Sequence, residues 1–293
     1  MAALASLLSE FLDANRGVIR VQLTRVRGSS PRDEGTEMFV STAALCGTVG
    51  GGQLEFRAIE AARRMLRDGT LSQTLDLPLG PEIGQCCGGR VEISLTRMRA
   101  SDRRAALARA AEASENLPHV YVMGAGHVGR ALADMFQHMP VRCILVDPRQ
   151  DEIALCDAAV ETRVSAIPEV DVMNAPKGSA FIVLTHDHGL DFLLTAAALE
   201  RGDAAYVGMI GSATKRAKLY HWMRRHCDVS AFDKLVCPIG ASGSRDKRPS
   251  LIAAFVVAEV LAELTSETAA TAPARAMRAP ATGQQEDRLE VPA

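Results

Sequence analysis

At 293 residues the chain is long enough for two domains that each bury a core, and its formal net charge of −2 provides no field that would attract nucleic acid or an anionic membrane. Aromatic residues make up only 4% of the sequence, too few for the stacking platforms of single-strand binders. The N-terminus lacks a signal peptide pattern, and the seven cysteines are odd in number and irregularly spaced. We therefore expect a cytoplasmic protein with free thiols that binds a small molecule or another protein, with no membrane span.

The N-terminal part of the chain predicts a small α+β domain. Apolar residues spaced three and four apart predict helices over 1–15 and 54–68. Shorter apolar or alternating runs predict strands over 18–27, 36–41, 74–77 and 91–96. We place this domain at residues 1–99 and expect a helical linker over 100–118.

From His119 onward the pattern changes to alternating strands and helices. Strands are predicted over 119–123, 141–146, 181–185, 205–210 and 235–237, and helices over 128–138, 190–200, 213–226 and 250–264. This alternation predicts a Rossmann-like, doubly wound parallel sheet over residues 119–265. Residues 266–293 are rich in Ala, Thr and Pro without periodicity, and we expect this tail to be disordered.

A glycine fingerprint, Gly124-x-Gly126-x-x-Gly129, follows the first of these strands and begins a helix. Such glycines permit a tight turn, close approach to a phosphate, and close packing of the helix on the strand. Asp147 ends the next strand, where a carboxylate accepts hydrogen bonds from a ribose. The fingerprint indicates the fold more strongly than it indicates NAD, because the fold also occurs with an altered or empty nucleotide site. Gly126→Val is expected to disturb the junction of strand, loop and helix.

Two adjacent cysteines, Cys86 and Cys87, lie within the glycine-rich run 84–89. Flanking glycines let a ligand reach both the thiols and the backbone amides, and a thiolate binds a soft metal or acts as a nucleophile. Arg90 is close enough in sequence to favour the thiolate. The alternative is a turn made of two small residues with one thiol buried. Zinc is disfavoured because no second cysteine pair lies at metal-ligand spacing elsewhere in the sequence.

Two further loops offer donors to an anionic ligand, through Ser29, Ser30, Arg32, Gly50, Gly51 and Gly52. The glycines at 50–52 lead directly into a helix, so their amides can form an anion nest; alternatively, Glu55 caps these amides itself. The loop at 29–32 presents two hydroxyls and a guanidinium, or else is a plain turn.

Histidines follow a predicted central strand in the segment Thr185-His186-Asp187-His188, at the edge where open α/β sheets bind ligands. His186 and His188 fall on one side of an extended chain, which suits a metal ligand or a general base. The alternative is that the segment caps the following helix and bonds to itself. Cys237 ends another predicted strand and would bring a thiol to the same edge.

Taken in order, these segments resemble the XdhC/CoxI family over about residues 10–265, and most closely its XdhC branch. The motifs that carry the resemblance are Arg27-Gly-Ser-Ser-Pro-Arg32, Gly50-Gly-Gly-Gln-Leu-Glu55, Gln85-Cys-Cys-Gly-Gly-Arg90, Gly124-x-Gly-His-Val-Gly129, Thr185-His-Asp-His188, Tyr206-Val-Gly-Met-Ile-Gly-Ser212 and Cys237-Pro-Ile-Gly240. The segment 241–249 departs from the Gly-Leu-Asp-Ile-Gly pattern of many CoxI-like members. This departure favours the XdhC branch over functions specific to dinucleotide forms of the cofactor.

The resemblance implies a molybdenum-cofactor chaperone, with no catalytic residue of its own. Such proteins bind the molybdopterin form of the cofactor while a cysteine desulfurase supplies the terminal sulfido ligand, and then insert it into apo xanthine dehydrogenase. Carried over, Cys86 or Cys87 would contact or protect the molybdenum, and Gly88, Gly89 and the other glycine loops with Arg32 would be candidates for the pterin and phosphate. The Rossmann half, with its fingerprint glycines, Asp147, the two histidines and Cys237, would complete the binding cleft or the partner surface. The implied partners are the molybdenum-binding subunit of xanthine dehydrogenase, the desulfurase and the proteins of cofactor biosynthesis; NAD is not expected.

Two other functions stay open at this point. An NAD(P)-dependent oxidoreductase would use the fingerprint at 124–129 and Asp147, with His186 or His188 as proton donor. A sulfurtransferase would carry a persulfide on Cys86 or Cys87. A homodimer is the expected assembly, because two-fold dimers are the commonest oligomers.

Overall fold

A computed structural model describes residues 2–80, 88–241, 244 and 246–265. The described residues divide into two compact units, one within 1–118 and 136–142 and the other within 119–135 and 143–293. The predicted domain bounds stay a prediction, and the tail predicted to be disordered lies outside the described residues. Among the helices of the described part, none is long and apolar enough to cross a membrane.

The first unit is built on a five-stranded antiparallel sheet. Its strands are β1 (Ile19–Arg27), β2 (Glu37–Val40), β3 (Leu45–Gly47), β4 (Ser72–Pro78) and β5 (Arg90–Arg97), in the spatial order β3-β2-β1-β5-β4. Helix α2 (Gly52–Asp68) packs on the sheet because its apolar residues recur on one side; the buried ones are Leu54, Ala58, Ala61, Ala62 and Met65. Strand β3 was not predicted, since three residues are too short to show a period.

Helices α1 (Ala2–Ala14) and α3 (Ala100–Glu115) pack against each other in the same unit. A small core that includes Leu8, Leu12 and Ala106 lies between them. The Arg103 guanidinium donates to the carbonyls of Leu12 and Asn15, at 2.6 and 2.7 Å. The helix predicted as a linker is therefore bonded to the N-terminal helix.

The second unit contains a six-stranded sheet. Its strands are β6 (His119–Met123), β7 (Arg142–Asp147), β8 (Glu161–Val164), β9 (Ala180–Val183), β10 (Tyr206–Met209) and β11 (Leu235–Val236), in the spatial order β11-β10-β9-β6-β7-β8. Counted along the unit, this order is 6-5-4-1-2-3, the order of a Rossmann sheet. The predicted fold class is confirmed.

Six helices connect these strands or follow them. They are α4 (His127–Phe136), α5 (Gln150–Ala154), α6 (Pro168–Asn174), α7 (His188–Glu200), α8 (Ala213–His226) and α9 (Pro249–Leu264). The sequence did not predict α5, β8 and α6, because α5 and α6 span only five and seven residues and β8 is a half-exposed edge strand. The strand order reverses between β6 and β9, so the carboxyl ends of these strands open a crevice suited to a ligand.

Candidate functional site

Two predicted ligand-binding segments of the first unit each contact a third, the loop at 28–32. A Cβ added to Gly89 would lie 2.1 Å from the Ser29 carbonyl oxygen, and one added to Gly50 would lie 2.6 Å from Cγ of Pro31. Side chains at these two glycines would therefore collide with the loop after β1. The packing brings the loop at 28–32, the glycines at 50–52 and the pair Gly88-Gly89 to one place.

Gly88 and Gly89 anchor the C-terminal end of the cysteine segment. The Gly88 amide donates to the Leu79 carbonyl at 2.8 Å, and the Leu79 amide donates to the Gly89 carbonyl at 2.7 Å. Gly88 has a φ of +69°, and a Cβ there would meet nothing within 4 Å. Cys86 and Cys87 lie outside the described residues, so their contact with a cofactor stays a prediction.

The glycine nest before α2 holds a carboxylate from its own chain. Glu55 Oε2 accepts from the amides of Val49 and Gly51, both at 3.1 Å, and from the Thr48 hydroxyl. Partial burial acts to raise the pKa of Glu55, but these hydrogen bonds outweigh it and lower the pKa below its ordinary value. Of the two alternatives for the nest, the structure favours capping by Glu55; a cofactor contact of Gly50, Gly51 and Gly52 stays a prediction.

Glu55→Gln is expected to lower the free energy of unfolding at pH 7 by about 1 kcal/mol, because amide hydrogen bonds to a charged acceptor become bonds to a neutral one. The folded-state pKa of Glu55 is depressed. The stabilisation is therefore fully present above the unfolded pKa and is lost as pH falls through the folded value. Denaturation measured from pH 7 to pH 3 should show the difference from wild type shrinking.

A matched control for this prediction is Glu60→Gln on the exposed side of α2. Glu60 makes a pair with Arg64 at 3.8 Å in which both side chains are 59% exposed. Such pairs contribute less than about 1 kcal/mol, and often nothing measurable. An equal effect of the two substitutions, independent of pH, would contradict the role given to Glu55.

Arginines surround the meeting point of the three segments. Arg90 makes a two-point pair with Asp76, at 2.7 and 2.8 Å, so its charge is already matched by a carboxylate rather than held free for the cysteines. Arg25 and Arg27 line the same small hollow, together with the carboxylates of Asp76 and Glu92, and both arginines are exposed, as is Arg32. These guanidiniums suit an anionic group.

In the second unit the fingerprint glycines differ in their steric roles. A Cβ on Gly129 would lie 1.8 Å from the Gly124 carbonyl oxygen, and one on Gly124 would lie 2.5 Å from the carbonyl oxygen of Leu184, just after β9. A Cβ on Gly126 would meet nothing within 4 Å. A first side-chain carbon at Gly126 therefore has room, and the tight positions are the outer two glycines; the effect of the larger, β-branched Gly126→Val stays a prediction.

The Asp147 carboxylate accepts hydrogen bonds from residues of its own domain. Its carboxylate is buried and accepts from the Ala125 amide at 2.7 Å and from Arg149 through the amide, Nε and Nη2, each at 2.9 Å. Burial acts to raise the pKa of Asp147, but the Arg149 side chain and these amides together hold it below the ordinary value. The predicted ribose contact stays a prediction, and it requires Arg149 to give up its place.

Two roles were considered for the segment 185–188: ligand binding by its histidines and capping of the following helix. The structure shows the cap. The Asp187 carboxylate accepts from the amides of Gly189 and Leu190, at 2.6 and 2.9 Å, and so caps α7. These bonds lower the pKa of Asp187. His186 and His188 are exposed, and neither is needed for the cap. Their predicted role in ligand binding therefore stays a prediction.

A buried ion pair that the sequence reading missed lies beneath this segment. Asp191 is fully buried; one of its oxygens accepts from the Thr185 amide and hydroxyl, both at 2.8 Å, and the other bonds Lys215 Nζ. The Lys215 side chain is 13% exposed. An acidic residue between the apolar Leu190 and Phe192 was the available signal, since a buried acid requires a partner.

Cys237 is partly buried against the core of the second unit. Burial raises the pKa of its thiol, although the charges of Lys215 and Arg216 act in the opposite direction. Its predicted part in cofactor binding stays a prediction. Within the part of the chain that the structure describes, no group of three or more His, Cys, Asp or Glu side chains is arranged to hold a metal ion.

Comparison with known proteins gives matches to both halves of the chain. Residues 11–76 match the XdhC and CoxI family, and residues 120–260 match the XdhC Rossmann domain. A crystal structure of a xanthine dehydrogenase from Bacillus halodurans superposes with a TM-score of 0.74 at 18% identity, over 92% of this chain and 98% of that chain, and so shows the same fold. No similar sequence is found among curated proteins. The motif resemblance is confirmed: this chain belongs to the XdhC and CoxI family.

Proposed function

We propose that this protein takes part in the maturation of xanthine dehydrogenase, as a chaperone that holds the molybdopterin form of the molybdenum cofactor. Membership of the XdhC and CoxI family supports a role in this maturation. The observation that carries the proposal is the meeting of the loop at 28–32, the glycines at 50–52 and Gly88-Gly89 in the first unit. All three belong to the motifs that identify the family, and one of them adjoins Cys86 and Cys87.

The described residues near these segments suit the phosphate of the cargo, and the proposed fit to its sulfur and metal depends on Cys86 and Cys87. Gly51 and Gly88 leave open space where a side chain would stand. Arg32 is exposed, and its Cγ would lie 3.5 Å from a Cβ on Gly50, so the stem of this side chain adjoins the glycines. Thiols suit the soft metal, and guanidiniums suit the phosphate. We infer that Cys86 or Cys87 contacts the metal and that Arg32 with Ser29 and Ser30 binds the phosphate and pterin.

The cargo supplies its own redox chemistry, and this chain's residues bind, orient and shield it. Holding the site dry limits hydrolysis and oxidation of the bound group. Delivery requires release as well as binding, so we expect moderate affinity, with a Kd of about 1–10 μM. In this proposal the sulfide comes from a cysteine desulfurase, and the receiver is the molybdenum-binding subunit of apo xanthine dehydrogenase.

The first test is retention of the cofactor by the purified chain under anaerobic conditions. With the protein at about 100 μM, well above this Kd, the free ligand is measured in an ultrafiltrate without washing, and near-stoichiometric retention of molybdenum and pterin together is expected. The double variant Cys86→Ala/Cys87→Ala should lose most of it, because both proposed metal contacts are removed. The control variant Cys156→Ala/Cys227→Ala changes two partly exposed thiols elsewhere and should retain the cofactor.

Normal retention by the Cys86/Cys87 double variant would remove the thiols from the site, and no retention by wild type would remove the chaperone function. Two added readouts separate the alternatives. Mass spectrometry after incubation with a desulfurase and cysteine detects a persulfide, which a sulfurtransferase requires. A nicotinamide-dependent absorbance change would instead indicate an oxidoreductase.

A further inference from the structure

A cleft of about 590 Å³ lies in the second unit beyond the carboxyl ends of β9 and β10. Thr185 and His188 line it after β9, and Ile210, Ser212 and Lys215 line it after β10. Its volume suits a ligand of mononucleotide size. Its position also matches the second half of a Rossmann crevice, where the other half is formed beyond β6 and β7.

The wall of the cleft combines cations and hydroxyls with an apolar side. Lys215 and Lys218 stand three residues apart on α8 and therefore share a face of that helix. Ser212 and Thr214 add hydroxyls, and no carboxylate is among the lining residues of the described chain. This set of donors suits a phosphate dianion.

The position of Lys215 is fixed by the packing around it. The buried Asp191 binds Nζ, and a Cβ on Gly211 would lie 2.8 Å from Cδ of Lys215, so only glycine leaves the side chain in this position. An ammonium has three donors, and Asp191 engages one of them. Lys218 is exposed and forms no ion pair with any residue that the structure describes. Asp191 neutralises the charge of Lys215, so Lys218 gives the lining of the cleft a net positive charge.

Two apolar side chains also line the cleft. Phe192, from α7, and Ile210 are partly buried there. The Phe192 ring is held by Trp222, with ring centroids 6.1 Å apart. A partly exposed, fixed aromatic ring offers a surface for a flat ring system. A few polar anchors among apolar lining residues are the usual design of a small-molecule site.

The first half of the crevice differs in being closed by its own side chains. The Ala125 amide in the glycine loop donates to Asp147, which also holds Arg149. A second arginine, Arg130, bonds the Ala125 carbonyl and Glu152, both at 2.6 Å. A dinucleotide needs both halves, whereas a mononucleotide-sized ligand needs only the open one.

We propose that the cleft beyond β9 and β10 binds the phosphate monoester of a planar heterocycle, with Lys218, Ser212 and Thr214 at the phosphate and Phe192 at the ring. A nucleoside monophosphate and a phosphorylated pterin share this chemistry. The inference assigns a site in the second unit that the proposed chaperone function, argued from the first unit, does not name.

The test is calorimetric titration of the full chain with guanosine 5′-monophosphate, guanosine and inorganic phosphate. The monophosphate should bind at least tenfold more tightly than guanosine, which lacks the anchor. Lys218→Gln should weaken binding of the monophosphate about tenfold, because a hydrogen bond to a charged group is lost. The control Lys177→Gln changes an exposed lysine just before β9. This lysine lies at the amino end of that strand, whereas the cleft lies beyond its carboxyl end, so the variant should bind like wild type.

Equal binding of guanosine and its monophosphate, or equal binding by Lys218→Gln and wild type, would overturn the proposal, as would the absence of binding. Competition with molybdenum cofactor identifies the source of the phosphate. Displacement of the nucleotide by the cofactor would support a phosphorylated pterin, and simultaneous binding would support a separate nucleotide. Because the titrations contain no molybdenum, they can fail while cofactor retention through Cys86 and Cys87 succeeds, and the reverse also holds.

Discussion

Gly129→Ala is expected to destabilise the Rossmann unit by about 3 kcal/mol or more, at the upper end of the cost of overpacking. The added methyl group would lie 1.8 Å from the Gly124 carbonyl oxygen and 3.2 Å from Cδ1 of Leu184. A backbone oxygen cannot rotate away as a flexible side chain can, so α4 must shift from β6. Since small domains have only about 5–15 kcal/mol of stability, the loss should be plain in chemical denaturation.

Gly126→Ala is the matched control, since it adds the same methyl group to the same loop. A Cβ on Gly126 meets nothing within 4 Å, and the residue does not require a positive φ. We expect its free energy of unfolding to stay within about 1 kcal/mol of wild type. If the two variants were equally stable, the close approach of α4 to the glycine loop would be wrong.

The sequence patterns identified the long elements well because most of them bury apolar residues at a regular spacing. The predicted strand at 119–123 and the predicted helix at 213–226 coincide with β6 and α8. Elements too short to complete a period were missed, as the three residues of β3 show. The alternation of strands and helices predicted a doubly wound parallel sheet, whereas the order of its six strands, including the unpredicted β8, comes from the structure.

The candidate site was predicted less completely, because its key contacts join residues far apart in sequence. The glycine motifs were identifiable as loops, but only the fold brings Gly89 against Ser29. Contacts between residues close in sequence were easier to predict. Glu55 lies only a few residues from the glycine nest and could be predicted as a cap that competes with an anionic ligand for its amides. The pairing of Asp191 with Lys215 spans 24 residues and two helices, so no pattern within one element reveals it.

Asp191→Ala is expected to lower the free energy of unfolding by about 3–5 kcal/mol, because it leaves the largely buried ammonium of Lys215 without its counter-charge. Asp191 is fully buried, and the Lys215 side chain is 13% exposed. The substitution also removes the acceptor of the Thr185 amide and hydroxyl. The loop that carries His186 should therefore loosen as well, and amide hydrogen exchange at Thr185 should report this separately from global unfolding.

The double variant Asp191→Leu/Lys215→Met separates the loss of a partner from the loss of packing. Removing both charges replaces the pair by apolar groups of similar volume, which is often neutral or stabilising, so the double variant should be more stable than Asp191→Ala. The Thr185 amide still lacks its acceptor in the double variant, so its exchange should remain fast while global stability recovers. If the double variant were no more stable than Asp191→Ala, the cost would lie in the Thr185 contacts rather than in the unpaired lysine.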